Sequence, residues 1–200
     1  MTTRKEDKRS IKSRNALKAA FKEMVLTQDM SRIVIKELAE KADVNRKTFY
    51  LHYADINDVL EDVENDLLDD IRTIIGKFDY KAIVFDPYPL LLAISDGVSG
   101  ENDDFNKLLF SSTISNNLID KIKNLFKQAF KDTFEQIMSD SAGTEIVLTF
   151  VVSGVVDAYR SWYLSDRVIG LKQVAHELAE VISKGLGDVI KEALWVLARS

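Results

Sequence analysis

The stretch of residues 35–53, IKELAEKADVNRKTFYLHY, decides how the chain is read. Leu38, Ala42 and Val44 are apolar, Ala39 is small, and Asp43 falls between two short helical patterns. Phe49 resumes the apolar signal five residues after Val44. This spacing predicts a helix-turn-helix, with a first helix over about residues 35–41, a tight turn at 42–44 and a second helix over about 46–52. Ala39 is small because the second helix crosses the first closely there. Asp43 stands where the turn needs a left-handed backbone, which Gly adopts most easily and Asp or Asn tolerates. Asn45 suits the N-cap, its side-chain oxygen reaching the free amide near Thr48.

The second helix carries the chemistry. Asn45 opens it, and Arg46, Lys47, Thr48, Tyr50 and His52 offer donors on surfaces that Phe49 does not use for the core. Such a helix fits a major groove, with N-terminal residues at base edges and flanks at phosphates. An ordinary helical hairpin has no need of this row of donors. The words TFYLHY, preceded by ADVNRK, resemble the TetR family of bacterial transcription regulators, whose DNA-binding helix commonly reads T-F/L-Y-x-H-F. The resemblance takes in the helices on either side, roughly residues 8–68. It implies an all-α protein with an N-terminal three-helix helix-turn-helix head, followed by a larger helical body for ligand binding and dimerisation. The expected domains are 1–54 for DNA binding and 55–200 for effector binding and dimerisation. The DNA-binding set is Asn45, Arg46, Lys47, Thr48, Tyr50 and His52. Three residues depart from the family pattern: Asp43 replaces the usual turn Gly, Val34 a Thr that touches phosphate, and Ile56 a Lys that opens the next helix.

Charge is distributed to match. The net charge of −5 conceals a basic head, with thirteen Lys/Arg against seven Asp/Glu over residues 1–54, and an acidic body, with fourteen against twenty-five over 55–200. A basic end on an acidic body suits a protein that presents one end to nucleic acid. There are no cysteines, which excludes a disulfide framework and a Cys-based zinc site. No apolar leader follows the charged start, and no charge-free run reaches the ~20 residues of a membrane span. A soluble, cytoplasmic protein that does not engage membranes is expected.

Along the chain, residues 1–8 are polar, with Arg4 and Lys5 as possible phosphate contacts. Ile11, Ala16, Leu17, Ala20, Phe21 and Met24 mark a first helix over about 9–27, with Lys12 and Arg14 as candidate phosphate contacts. Asp55 caps a long helix to about Phe78, its wet side holding Asp58, Glu61, Asp62, Asp66, Asp69 and Asp70. Pro87 and Pro89 interrupt the reading over 79–101, with a short helix ending near Gly97 and another over 105–110. A strong helix over about 116–138 sets Lys123, Lys127 and Lys131 on a solvated face. Gly143 marks a break. Residues 144–164 read as a helix buried nearly all round, in which Gly154 admits a neighbouring backbone and Asp157 pairs with Arg160. The last helical region, about 171–198, is broken in two by Gly185 and Gly187.

Two helices this apolar have more sticky surface than one body covers, which predicts a homodimer through about residues 144–198. The resemblance points to the same segment. A two-fold dimer would set two recognition helices on a palindromic operator in double-stranded DNA.

Enzyme chemistry is not expected. His52 and His176 have no Ser, Cys or metal-ligand partner at useful spacing, and no HExxH, P-loop or dinucleotide fingerprint occurs. No catalytic residue, metal site or cofactor is assigned. The leading expectation is a regulator, most often a repressor in this family, controlled by a small apolar effector within the body. Phe110, Phe126, Phe130, Phe150, Tyr159 and Trp162 are candidates to line the effector site. Two other readings stay open. One is a TetR-like regulator whose body docks another protein, as in activators of dihydroxyacetone kinase operons. The other is a helical dimeric module that has lost DNA binding, given Val34 and Ile56.

Overall fold

The computed structural model describes residues 8–98, 103–111, 117–138 and 141–197, with the side chains of 141, 186 and 188–197 left out of the description. The described residues form ten α-helices and one 3-10 turn, and no strand occurs among them. They divide into two compact units, residues 1–67 and 68–200.

In the first unit, α1 (Lys8–Val25) turns Leu17, Ala20, Phe21 and Met24 inward. These residues recur three or four apart and so share one helical face. A 3-10 turn, Met30–Arg32, follows, with Asp29 accepting from the Ser31 amide at 2.9 Å. α2 (Ile35–Lys41) and α3 (Arg46–His52) are the expected helix pair. Leu38, Ala39 and Phe49 meet in the core with Leu17 and Phe21, all but fully buried. Asp43 has φ 53°, the left-handed conformation read from the turn.

The helix α4 (Ile56–Ile75) starts in this unit and ends in the other. Asp55 accepts from the amides of Asn57 and Asp58 at 2.7 and 3.2 Å, while Asp58 reaches back to the Ala54 amide at 2.6 Å. Both carboxylates thereby satisfy donors that a helix start leaves open.

The acidic side of α4 is not uniformly wet. Asp62 is buried, and its carboxylate accepts from Arg14 Nε at 2.7 Å, Arg14 Nη2 at 2.5 Å and the Tyr53 hydroxyl at 2.6 Å. Lys18 Nζ holds Asp66 at 2.6 Å and lies 3.6 Å from Asp62. Arg14, expected at a phosphate, is therefore committed to α4. Glu64, also buried, is a second acid on that helix that solvent does not cover. The expectation failed because helical spacing assigns every charge to the outside, whereas α1 presents cations to this face.

In the second unit, α5 (Tyr80–Phe85) was not foreseen, and Asp79 caps it through the Lys81 amide at 2.9 Å. α6 (Tyr88–Val98) accommodates Pro89 in its first turn, where no amide hydrogen is required. α7 (Asp103–Phe110), α8 (Leu118–Met138), α9 (Ser141–Leu164) and α10 (Leu171–Leu197) complete the body. α9 packs most extensively on α8, and α10 on α6.

Several expectations for the body change. Gly143 lies within α9, and α10 runs through Gly185 and Gly187 without a break. The lysines of α8 are not merely solvated: Lys123 pairs with Asp157 at 2.9 Å and Lys127 with Glu145 at 3.1 Å, tying α8 to α9. Arg160 directs Nε to the Phe110 carbonyl at 3.0 Å, closing the end of α7. α9 is long and apolar enough over Ala142–Leu164 to cross a membrane by length and composition. Its acids nonetheless serve protein ion pairs with α8. Nor is it buried all round, because Ile146 and Phe150 stand 72% and 79% exposed. Nothing among the described residues lies within 4 Å of a side chain added at Gly154.

Candidate nucleic-acid interface

The candidate interface is built on α3. Phe49 is buried to 0% exposure and fixes the rotation of the helix, with Tyr50 edge-on to it at 5.5 Å between ring centres. Residues one and two positions from Phe49 around the helix therefore face outward. Arg46, Lys47, Tyr50 and Leu51 are exposed and form one continuous surface, since positions four apart stack on a helix.

The predicted residues divide into two groups. Arg46 and Lys47 are exposed cations in the first turn, which carries no acid. Placing positive charge at a helix N-terminus opposes the macrodipole, at roughly 0.3–1 kcal/mol each. A local preference broken in this way marks a surface shaped for something other than stability. Arg46 Nη2 lies 3.5 Å from the Tyr50 hydroxyl, so the two side chains run together along the surface.

Asn45, Thr48 and His52 face structural tasks. Asn45 Oδ1 accepts from the Thr48 amide at 2.8 Å and from the Thr48 hydroxyl at 3.1 Å, forming the N-cap. Such a cap contributes about 1 kcal/mol. His52 turns its Nε2 toward Ser13 Oγ of α1, at 2.8 Å. The structure thus brings Arg46, Lys47 and Tyr50 together on one face and places His52 at the joint with α1.

Leu51 was missed from the sequence. It is 82% exposed, an apolar side chain one turn beyond Lys47. The signal was present in the phase set by Phe49, but an aliphatic residue in an apolar-periodic segment reads by default as core. Of the family departures, Val34 precedes α2 without a side-chain cap and is exposed, while Asp43 meets the backbone requirement of the turn. Arg4 and Lys5 lie outside the described residues. Lys12 is exposed on α1.

The charge network beneath this surface is pinned. Burial alone would raise the Asp62 pKa, but the hydrogen bonds from Arg14 and Tyr53 and the charge of Lys18 hold it below the ordinary value of 3.8. Burial and the bond to Asp62 push the Tyr53 hydroxyl well above the ordinary tyrosine range. Tyr53 directly follows α3, so the network anchors the end of that helix to α1 and α4.

The body contributes two apolar pockets. The larger, about 80 Å³, is lined by Phe126, Phe130 and other apolar side chains of α5, α6, α8, α9 and α10. The smaller, about 40 Å³, includes Phe110, Phe126 and Tyr159. Four of the six expected lining residues are thus placed. Phe150 instead points to solvent, and Trp162 packs on Arg167 while its Nε1 donates to the Ile169 carbonyl at 2.8 Å. No group of three or more His, Asp or Glu side chains suited to a metal occurs among the described residues.

A helix-turn-helix with an outward row of cations, carried by helices alone among the described residues, has the form of a duplex-binding module. Residues 88–184 match the TetR_C_8 family model, a transcriptional regulator C-terminal region. An HTH-type transcriptional regulator of Bacillus subtilis (strain 168), YxbF, is 24% identical over 194 residues, 92% of this chain. The chain spans about half, 47%, of the length of that relative. Among solved structures, the dihydroxyacetone kinase operon activator DhaS superposes with a TM-score of 0.61 at 15% identity, over 85% of this chain and 93% of its own. That likeness establishes a shared fold. The TetR family repressor AlkX from Dietzia sp. strain DQ12-45-1b aligns less closely, with a TM-score of 0.48 at 15% identity over 88% of this chain and 96% of its own. The matched C-terminal region is that of TetR-type regulators, and the likeness over the whole chain is to an HTH-type transcriptional regulator. Proteins of this family bind DNA and dimerise.

Proposed function

We infer that the protein is a cytoplasmic transcription regulator, a repressor in its simplest form, that binds a palindromic operator as a homodimer and is released by a small apolar effector. Residues 1–54 serve as the DNA-binding domain and 55–200 as the effector-binding and dimerisation domain. The observation that carries this reading is the exposed row Arg46, Lys47, Tyr50 and Leu51 on a helix locked from behind by Phe49. Arg46, Lys47 and Tyr50 read base edges, and Leu51 supplies an apolar surface matched to a thymine methyl. Asn45, Thr48 and His52 hold the helix in register beside the phosphates.

Dimerisation runs through about residues 144–198. Ile146 and Phe150 on α9 and Val181, 69% exposed, on α10 support it, because water-facing apolar side chains repeated at helical spacing find cover on a second copy. The effector site is the pair of apolar pockets, whose walls offer burial to a hydrocarbon and nothing to an ion. Selection of bound duplexes from random DNA tests the whole reading. A mirrored motif is expected for the parent, and its loss for Arg46→Ala and Tyr50→Ala with helicity and dimerisation unchanged. Variants that select the same motif as the parent contradict it.

A second reading, in which the body docks a protein, is favoured by one observation. The last residue of α9, Leu164, and Val168 and Ile169 in the turn after it are all exposed. Thermal melting against apolar compounds separates the two, since only a small-molecule site is stabilised without a protein partner.

A further inference from the structure

The turn between α9 and α10 holds a residue whose placement is unfavourable in two respects. Arg167 has φ 53°, a left-handed backbone that a bulky side chain seldom takes. Its guanidinium is also incompletely paired. Nη1 donates to Asp103 at the start of α7, and the planar group lies over the Trp162 and Tyr163 rings, 4.8 and 4.9 Å from their centres. Nε and Nη2 are buried, and no acceptor among the described residues reaches either. Stacking on rings uses the face of a guanidinium and leaves its N–H edge unsatisfied.

The turn is nevertheless held in this form. Trp162 Nε1 donates to the Ile169 carbonyl at 2.8 Å. The Ser165 hydroxyl donates to the Trp162 carbonyl at 2.9 Å and accepts from the Arg167 amide at 3.1 Å. A loose turn would relax the backbone and carry the cation into water, whereas this one is bonded so that both unfavourable features persist. Features kept against stability in this way mark a binding function.

Nε and Nη2 share one edge of the guanidinium, and their parallel N–H groups match the paired oxygens of a carboxylate. Asp103, on Nη1, leaves that edge open. A phosphate fits the same fork, but charge decides against it. Asp103 already offsets Arg167, and Asp104 and Asp166, their neighbours in sequence, are exposed acids. A dianion would therefore meet more negative charge than positive. Size narrows the class further. The free edge lies beneath the surface, while the Arg167 side chain as a whole is 24% exposed, a depth that admits a small molecule and not a protein face. Leu164 at the end of α9 and Val168 and Ile169 in the turn are exposed and apolar, which suits an uncharged remainder.

We propose that the free edge of Arg167 binds a small monocarboxylic acid with an apolar remainder, at the turn between α9 and α10. The site is separate from the two apolar pockets, since Arg167 lines neither.

Isovalerate is the probe, titrated into the full chain carrying Trp195→Phe, so that Trp162 beneath the guanidinium supplies the fluorescence. A saturable change in emission is expected, with the same Kd by calorimetry on the parent chain. Isovaleramide, which keeps the skeleton and loses the charge, should bind at least tenfold more weakly, and so should inorganic phosphate. Arg167→Lys keeps a positive charge but not the fork, and should raise the isovalerate Kd at least tenfold with helicity unchanged by circular dichroism. No saturable binding to the parent, equal binding of the amide or of phosphate, or an Arg167→Lys Kd within twofold of the parent overturns the proposal. The last result is the one expected of an acid lodged in the apolar pockets. Should Arg167→Lys fail to fold, Arg167→Gly, which accepts a φ of 53° without strain, gives a second test. Isovalerate binding should be lost in it, and a retained Kd overturns the proposal.

Discussion

Replacing Asp62 by Asn breaks the joint that holds α1, the end of α3 and the first half of α4 together. The carboxylate, 8% exposed, takes two hydrogen bonds from Arg14 and one from Tyr53. Asparagine keeps the shape but removes the charge and one acceptor. Breaking a fully buried pair costs about 3–5 kcal/mol. Here the Arg14 side chain is 41% exposed and water compensates part of its loss, which brings the expected cost to about 2 kcal/mol. That is roughly thirtyfold in the folding equilibrium of the first unit. Both tryptophans, Trp162 and Trp195, lie in residues 68–200, so their fluorescence follows the second unit alone. In urea, far-ultraviolet circular dichroism should gain an early component while the tryptophan transition stays put. Asp69→Asn is the control, because its exposed pair with Arg72 contributes no more than ~0.5 kcal/mol. The pH dependence has a definite sign. Asp62 is depressed in the folded state, so its contribution is full above 3.8 and is lost as pH falls below that value. The gap between parent and Asp62→Asn should therefore close below pH 3.8. Two coincident transitions in both proteins, or a gap that persists in acid, refutes the reasoning.

Three further outcomes follow from the same geometry. Tyr53→Phe removes one donor from Asp62 and should destabilise the first unit by about 1–2 kcal/mol, read from the same early dichroism component. Phe150→Glu places a charge on the exposed face of α9; sedimentation should show monomer at concentrations where the parent is a dimer, with unchanged helicity. Arg46→Ala should reduce the slope of log affinity against log salt by about 0.9 if that side chain also neutralises a phosphate, and by nothing if it contacts bases alone.

The helix-turn-helix was legible because several local signals agree within nineteen residues. The positions of Leu38, Ala39 and Phe49 match the core, Asp43 adopts the left-handed turn, and Asn45 caps α3 as read. The long-range polar contacts were not legible. Asp62 reads as one more acid on an amphipathic helix, and only the arrival of Arg14 and Tyr53 from elsewhere in the chain buries it. The lysines of α8 misled in the same way, since their partners Glu145 and Asp157 lie on α9. Composition also overstated the burial of α9. An apolar run gives no indication of whether its cover comes from its own chain or from another copy, and Phe150 faces solvent in the single chain. Gly143, Gly185 and Gly187 were read as breaks although a glycine costs only about 1 kcal/mol inside a helix, which long neighbours readily offset.

The most direct test of the central claim is chemical protection of guanine N7, which opens only into the major groove. With a selected duplex, the parent should shield guanines from methylation in two patches about one helical turn apart, or a multiple of that. Shielding should vanish in the combined Arg46→Ala, Tyr50→Ala variant. Full methylation of the bound duplex, or the same protection from the double variant, contradicts the placement of α3 in the groove.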